Sequence, residues 1–384
     1  MNLPHLCFVA NHIYPVLVRD SGIAFVGGAE VQQSVQMRAL QRAGYRISVL
    51  VKDYGQADVV DCDGIQLHKI PDPGQRGIPL LRFVYPRLTD ILGLLRRIEP
   101  DIVFMQTAGE QVFGAALYAR LSGARFVFAG ASDMDFVRGP LPGMPAQHTF
   151  MYRIGLRAAH AVIVQNLAQQ RMLKAHFGRE GHLIQNGYEE AAARPGSFQG
   201  HVLWAATVKP LKRPDLFIEL ARRTPGRRFV MVGGPGITPD AQAYFAAMAE
   251  RASEVPNLEM KGHVPYHQVG AWFDGAALSV NTSDYEGLPN TFLQAWLRGI
   301  PTLSFVCPES APGETGTLAC RDLDDMAARV GALCEDEGAW RTASAACRRH
   351  FDAHHRIDAV VDRYRAVFDE VLSVAHSASV PVSS

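Results

Sequence analysis

The chain alternates short apolar runs, rich in β-branched and aromatic residues, with amphipathic stretches, and it does so in two series. The first reads His5–Ala10, Ala29–Ala43, Arg46–Val51, a helical stretch ending at Ile98, and Asp101–Met105. It continues through Arg125–Gly130, a helix around Phe150–Ala159, Ala161–Gln165, Leu167–Phe177 and His182–Gln185. Short continuous apolar runs alternating with helical periodicity are the signature of βα units. Runs apolar on both faces suit strands covered from both sides, so one parallel sheet between helix layers accounts for the series. In the first helix Val31, Val35, Leu40 and Ala43 share a face, and Gly44 stands where a C-terminal cap belongs.

The rhythm stops over Asn186–Gly200, NGYEEAAARPGSFQG, where Gly, Pro, Ala and charge replace periodicity as in an interdomain linker. It restarts with strands expected at His201–Ala206, Arg228–Val232, Leu258–Gly262, Leu278–Thr282 and Thr302–Val306, and helices beginning near Arg213, Pro239, Tyr266 and Asn290. A chain of 384 residues exceeds one ordinary core, at roughly 150 residues per domain. The expected layout is a first doubly wound domain over 1–190, a second over 191–354, a helix over 355–374 able to cross back to the first, and a flexible tail over 375–384. Ligand crevices of such domains open at the carboxyl ends of their strands, here facing each other across a central cleft.

Lysine plus arginine number 38, as do aspartate plus glutamate, so no global field exists to hold nucleic acid and any phosphate site must be local. The six cysteines form no C-x-x-C pair, and Cys347 with His350 lacks a second ligand pair, so they read as reduced thiols. The start carries neither a basic region nor a long apolar one, and no later run approaches ~18 apolar residues. A cytoplasmic protein is expected. Peripheral contact with the inner face of a membrane is the membrane option left, through a segment where Arg76, Arg82, Arg87, Arg96 and Arg97 accompany Leu80, Leu81, Phe83, Val84 and Leu92. A core helix with a solvated basic face is the competing reading. No G-x-G-x-x-G follows the opening strand and no G-x4-G-K-[ST] exists, against a dinucleotide dehydrogenase or a P-loop enzyme.

The sharpest motif is YEGLPNTFLQAWLRGIP, Tyr285–Pro301, directly after the strand expected to end near Thr282. Glu286-Gly287-Leu288 forms a turn, Pro289 has the φ suited to a first helical position, and Gly299 ends a short helix. The backbone N–H groups from Gly287 through Leu288, Pro289's neighbour Asn290 and Thr291 would cradle an anion at the positive end of the helix dipole. Glu286 would then accept hydrogen bonds from sugar hydroxyls. An N-capping segment with an incidental acid is the bland alternative.

This segment resembles the E-x7-E region of retaining GT-B glycosyltransferases of the GT4-type family. Phe25–Glu30, FVGGAE, resembles the family's N-terminal glycine turn, with Gly28 approaching the donor diphosphate. Val202–Pro214, VLWAATVKPLKRP, resembles the first strand and loop of the donor domain, with Lys212 and Arg213 toward phosphate. Lys261–Pro265, KGHVP, resembles the strand end where backbone at Val264 meets the nucleobase. The resemblance spans nearly the whole chain and implies a nucleotide-diphosphate sugar as donor substrate, no cofactor, no metal, and a glycan, lipid-linked or small-molecule hydroxyl acceptor. Departure of the sugar builds oxocarbenium character on it and negative charge on the leaving diphosphate, which Lys212 and Arg213 offset.

Three positions depart from the family pattern. The second glutamate, a ribose ligand, is Gln294; an amide can still accept and donate one hydrogen bond each. The arginine before the lysine is Thr207, which leaves Lys212, Arg213 and Lys209 as cations. The histidine after the fourth N-domain strand has no equivalent in Phe128–Phe136, where Ser132, Asp133 and Asp135 are the polar candidates. Of the D-x-D triplets at Asp61, Asp133 and Asp322, only that at Asp133 follows a cleft-facing strand end, for acceptor contact or loop capping. A catalytically silent sugar-nucleotide-binding partner and a GT-B epimerase are the alternatives to transfer. Acceptor recognition is expected in Asn11–Val26, with Arg19 and Asp20, and in Phe136–Met144.

Overall fold

The computed structural model describes residues 3–19, 27–72, 83–141, 144–236, 238–309 and 314–378. Expectations at 20–26, at Arg76, at Leu80–Arg82, at 142–143 and for the tail beyond 378 lie outside the described residues. The chain folds as two units. The first runs to Gln185 and resumes at Ile357, and the second is built from Asn186–Arg356.

The first unit holds an eight-stranded sheet: β1 (His5–Val9), β2 (Arg46–Lys52), β3 (Val59–Cys62), β4 (Ile65–Ile70), β5 (Ile102–Gln106), β6 (Arg125–Ala129), β7 (Ala161–Val164) and β8 (His182–Leu183). Their spatial order is β3-β4-β2-β1-β5-β6-β7-β8. β1 and β5 are buried throughout, which is why their sequences carry no polar alternation. Helix Ile357–Ala378 belongs to this unit's core: Phe104 packs edge-on against Tyr364 and Phe368, and Tyr45 against Phe368. Arg363 also donates to Gln185 at 2.9 Å.

One edge corrects the all-parallel expectation, because β3 runs antiparallel to β4. Asp63 and Gly64 both have positive φ, 53° and 84°, and Cys62 pairs with Ile65, so two residues make the hairpin turn that suits the natural twist of paired strands. Asp61 accepts from the Gly64 N–H at 3.0 Å and Asp63 pairs with Arg38 at 2.9 Å. The triplet at Asp61 is therefore turn chemistry.

In the second unit β9 (Val202–Ala205), β10 (Phe229–Val232), β11 (Leu258–Gly262), β12 (Leu278–Asn281), β13 (Thr302–Ser304) and β14 (Thr317–Ala319) form a sheet ordered β11-β10-β9-β12-β13-β14. Every pairing is parallel. Counted within the unit the order is 3-2-1-4-5-6, the doubly wound arrangement whose crevice opens where the winding reverses, between β9 and β12. The third triplet is also structural: Asp322 caps helix Leu323–Glu335 by accepting from Asp325 N–H at 2.8 Å.

The boundary expected at 190 shifts. Tyr188 is buried and receives a hydrogen bond from Gln294, and Glu190 pairs with Arg298 at 2.8 Å, so both are fixed within the second unit. The Arg298 side chain is fully buried between Glu190 and Asp274.

Candidate active site

The loop after β9 and the turn after β12 meet at the second unit's switch point. Lys209–Arg213 begins as a short 3-10 turn over Pro210–Lys212, and Arg213 then takes a left-handed conformation, φ 47°, before helix Pro214–Arg223. A non-glycine residue there carries strain, and strain persists where neighbours over-determine it. The neighbour is Thr282, fully buried, whose hydroxyl lies 2.8 Å from the carbonyl oxygens of both Lys212 and Arg213 and accepts from the Trp204 indole N–H at 3.0 Å. Arg213 is also held by Asp215, at 3.0 and 3.1 Å, and by Asp284 at 3.3 Å.

This loop delivers the Lys212 ammonium onto Glu286 Oε1 as an ion pair, with the two side chains 17% and 13% exposed. The same oxygen accepts from Ser283 Oγ at 2.7 Å and from Asn281 Nδ2 at 3.5 Å. Asn281 is in turn fixed by accepting from the Ser283 N–H at 3.0 Å. The carboxylate is thus oriented through Oε1. Lys209 adds a third cation. Burial lowers its pKa, Lys212 beside it lowers it further, and Glu286 opposes both.

Glu286 is followed by helix Asn290–Leu297, whose N-cap is Pro289, φ −63° and ψ 133°. Pro289 thus sits one position earlier than expected: its extended ψ places it outside the helix, and Asn290 is the first helical residue. Phe292 N–H bonds to Pro289 O at 3.0 Å, so the helix begins at the site, beside Gly287 and Leu288, which are both half-buried. The helix ends as the sequence indicated. Gly299 has φ 66°, Gly299 N–H reaches Trp296 O, and Ile300 N–H reaches Ala295 O at 2.9 Å, the paired bonds of a glycine-terminated helix.

Other predicted residues are not gathered there. Gln294 is 2% exposed, and its amide nitrogen donates to Tyr188 OH at 3.2 Å, which donates on to Glu190. One of its two amide N–H donors is thereby engaged within the fold, which leaves Oε1 and the second N–H toward a ribose. Val264, just past β11, packs its side chain with Ala205 and Trp272 against a core cluster. Gly233, after β10, needs no ligand to explain it: with φ 154°, an added Cβ would lie 1.7 Å from Ala206 O.

In the first unit Gly28 opens helix Gly28–Arg42 behind an extended Gly27; Phe25 and Val26 of that motif lie outside the described residues. Asp133 opens a 3-10 turn and accepts from Asn166 Nδ2 at 3.2 Å. Its neighbour Asp135 is buried and accepts from the N–H groups of Ala131, Ser132 and Ala108 at 2.7, 3.0 and 3.1 Å. Burial raises its pKa against those bonds, so Asp135 is a loop staple.

A cavity of about 240 Å³ is lined by Asn11, His12, Lys52, Arg87, Glu110 and Gln111, among others; Asn11 and His12 fall in the Asn11–Val26 loop expected for acceptor recognition, while Lys52, Glu110 and Gln111 were not singled out by sequence. It lies where the first sheet reverses its winding, between the loops after β1 and β5. Asn11 Nδ2 donates to Gln111 Oε1 at 2.9 Å, while buried Asn11 Oδ1 has no partner. Glu110 is gripped by Arg87 at 3.0 Å and His148 at 3.2 Å. For the loop after β5 the available signal was its position after a strand, since it carries no motif.

Two doubly wound units, one with an ion pair and a helix N-terminus at its switch point, define a two-module α/β architecture. Residues 17–166 match the family described as Glycosyl transferase 4-like, and residues 199–336 match Glycosyl transferases group 1. The chain belongs to the GT-B glycosyltransferases. D-inositol 3-phosphate glycosyltransferases of Mycobacterium avium and Mycolicibacterium paratuberculosis are 29% identical to it over 182 residues, 44% of this chain. The matched region spans 42% and 41% of those relatives' lengths. Sucrose-phosphate synthase of Thermosynechococcus elongatus shares the fold at a TM-score of 0.74 and 12% identity, over 97% of this chain and 100% of that one. Anabaena HepE in complex with UDP and glucose does so at 0.70 and 14%, over 96% and 100%. Starch Synthase IV of Arabidopsis thaliana bound to ADP and acarbose does so at 0.68 and 14%, over 96% and 99%.

Proposed function

We propose that this chain transfers a sugar from a nucleotide-diphosphate sugar to an acceptor hydroxyl, with retention of anomeric configuration and without a metal ion. The observation that carries the reading is the Lys212–Glu286 pair at the β9/β12 switch point. Its polarity suits the donor: Lys212, Arg213 and Lys209 toward the diphosphate, Glu286 toward sugar hydroxyls, and the start of helix Asn290–Leu297 toward phosphate oxygens. When the bond from anomeric carbon to diphosphate oxygen breaks, the cations offset the charge gathering on that oxygen, and the departing phosphate takes the acceptor's proton. No protein base is demanded by this route. UDP in HepE and ADP in Starch Synthase IV support a nucleoside diphosphate on the donor side, and we favour a UDP- or GDP-sugar.

On the acceptor side we assign the cavity at Asn11 and Gln111, whose unpartnered Asn11 Oδ1 suits a hydroxyl donor. A glycan, a lipid-linked sugar or a small polyol would each supply one. Asp133 retains an acceptor-side role in this proposal, while its contact with Asn166 already gives it a structural one.

A panel of nucleoside diphosphates tests the donor claim. At ~100 times the dissociation constant the right nucleotide adds about 2.7 kcal/mol of stability, and transfer persists in EDTA; no stabilisation by any nucleotide removes the donor site. The second reading, nucleotide binding without transfer, draws on one observation, the engagement of Gln294 with Tyr188. It predicts stabilisation with neither transfer nor donor hydrolysis.

A further inference from the structure

From Phe136 to Arg179 the chain has six lysines and arginines and no aspartate or glutamate, although its charges balance overall at 38 against 38. Helix Ala146–Ala158 of the first unit is the centre of this stretch. Its inner side, Thr149, Tyr152, Gly155 and Leu156, is buried. A Cβ on Gly155 would come 2.7 Å from the Val112 backbone, so the helix lies backbone-close on helix Gln111–Ser122. The outer side presents Phe150, 62% exposed, and Ile154, 38% exposed, one turn apart. Large apolar side chains exposed together on one helix face mark an interaction surface more often than singly scattered ones do.

Arginines surround that pair. Arg153 donates to the carbonyls of Arg138 and Gly139, Arg157 stands 5.4 Å over the Phe177 ring, and Arg179 donates to the carbonyls of Leu156 and Arg157 at 2.9 and 3.0 Å. Carbonyl partners position these guanidinium groups without neutralising them. The carboxylates that flank this stretch in the sequence or contact its helix have other partners: Glu110 with Arg87 and His148, Glu180 with Lys174, and Asp133 with Asn166.

We propose that this face docks on an anionic lipid bilayer, with Phe150 and Ile154 entering the interface and Arg138, Arg153, Arg157 and Arg179 facing lipid phosphates. A bilayer offers a shallow apolar layer under a sheet of negative charge, which is the complement of two protruding apolar side chains ringed by cations. A second copy of the chain fits poorly, because a two-fold contact through this face would set its cations against themselves. His148, in the first turn of the same helix, contacts Glu110 of the cavity at Asn11, so docking would bring that cavity near the lipid surface. The docking does not depend on the transfer reading.

Flotation of the full chain with vesicles tests it. Binding is expected to phosphatidylcholine vesicles containing phosphatidylglycerol and not to phosphatidylcholine alone, and it should weaken as salt shortens the screening length. Phe150→Ser combined with Ile154→Ser should lower partitioning at least about tenfold, and Arg157→Gln about fivefold, with the thermal midpoint unchanged because all three residues are exposed. No binding to the anionic vesicles, equal binding to both kinds, or binding that both variants retain would overturn the proposal. So would a dimer dispersed by these substitutions without vesicle binding, or soluble polyglutamate binding as strongly as the vesicles.

Discussion

Replacing Thr282 by valine keeps the shape of a fully buried side chain and removes one oxygen. That oxygen links Trp204 Nε1 on the sheet to the carbonyls of Lys212 and Arg213. An indole N–H left unpaired in the core costs ~1–3 kcal/mol, and the hydroxyl's own donation, shared between two carbonyls, is worth ~1 kcal/mol. The sum is a loss of about 2–4 kcal/mol. For a unit of this size each kcal/mol moves the midpoint by roughly 2–4 °C, so thermal unfolding should show a fall of about 4–16 °C. Thr282→Ser should recover most of it by restoring the oxygen. Because Thr282 also holds Arg213 in its left-handed conformation, nucleoside diphosphate affinity should drop in Thr282→Val even at temperatures where it is fully folded. A valine variant within ~0.5 kcal/mol of the parent, or one that binds nucleotide as tightly, refutes the view that this hydroxyl holds the phosphate loop.

Lys209→Met should weaken nucleoside diphosphate binding about tenfold by titration calorimetry, as loss of one charge-assisted hydrogen bond implies. Since burial and Lys212 lower the Lys209 pKa, parent affinity should decline with rising pH earlier than for an ordinary lysine, and the variant should lose that step. Arg298→Met leaves Glu190 and Asp274 without their shared buried cation and should cost ~3–5 kcal/mol in urea unfolding. His5 is lowered to about 4, by burial first and Arg46 next, and His350 to about 4, by burial first and His354 next. Unfolded histidines take up protons near pH 6.5 while these two resist until about 4, so stability is full above 6.5 and falls as pH drops through that window. The midpoint of a His5→Asn, His350→Asn variant should fall less than the parent's between pH 6.5 and 5; equal slopes would contradict the assignment.

Much of the fold was legible because strands covered on both faces leave continuous apolar runs, and β1, β5, β9 and β10 each did so. The β3–β4 hairpin was not, although Asp63-Gly64 is a strong two-residue turn signal; its flanking strands are short and half-exposed, with weak alternation. Lys212 and Glu286, named from local patterns far apart in the chain, meet as an ion pair at the crevice. The surroundings of Gln294 were not legible, for a physical reason. Spacing along a helix gives the face a residue occupies but not what covers that face, and Tyr188, over a hundred residues away, covers this one. Of the cavity between β1 and β5, the Asn11 side lay in an expected acceptor loop but its partner did not: Asn11 and Gln111 lie a hundred residues apart and meet only after the sheet reverses its winding.

The central claim is that Glu286, held by Lys212 and Ser283 at the crevice between β9 and β12, contacts the sugar being transferred. Mass spectrometry of glycosides formed in cell extract from isotopically labelled UDP- and GDP-sugars, by the parent chain and by Glu286→Ala, tests it most directly. The account predicts labelled product from one donor class with the parent and at least about a hundredfold less with the variant, the scale of losing one transition-state contact. Equal yields from parent and variant would contradict it.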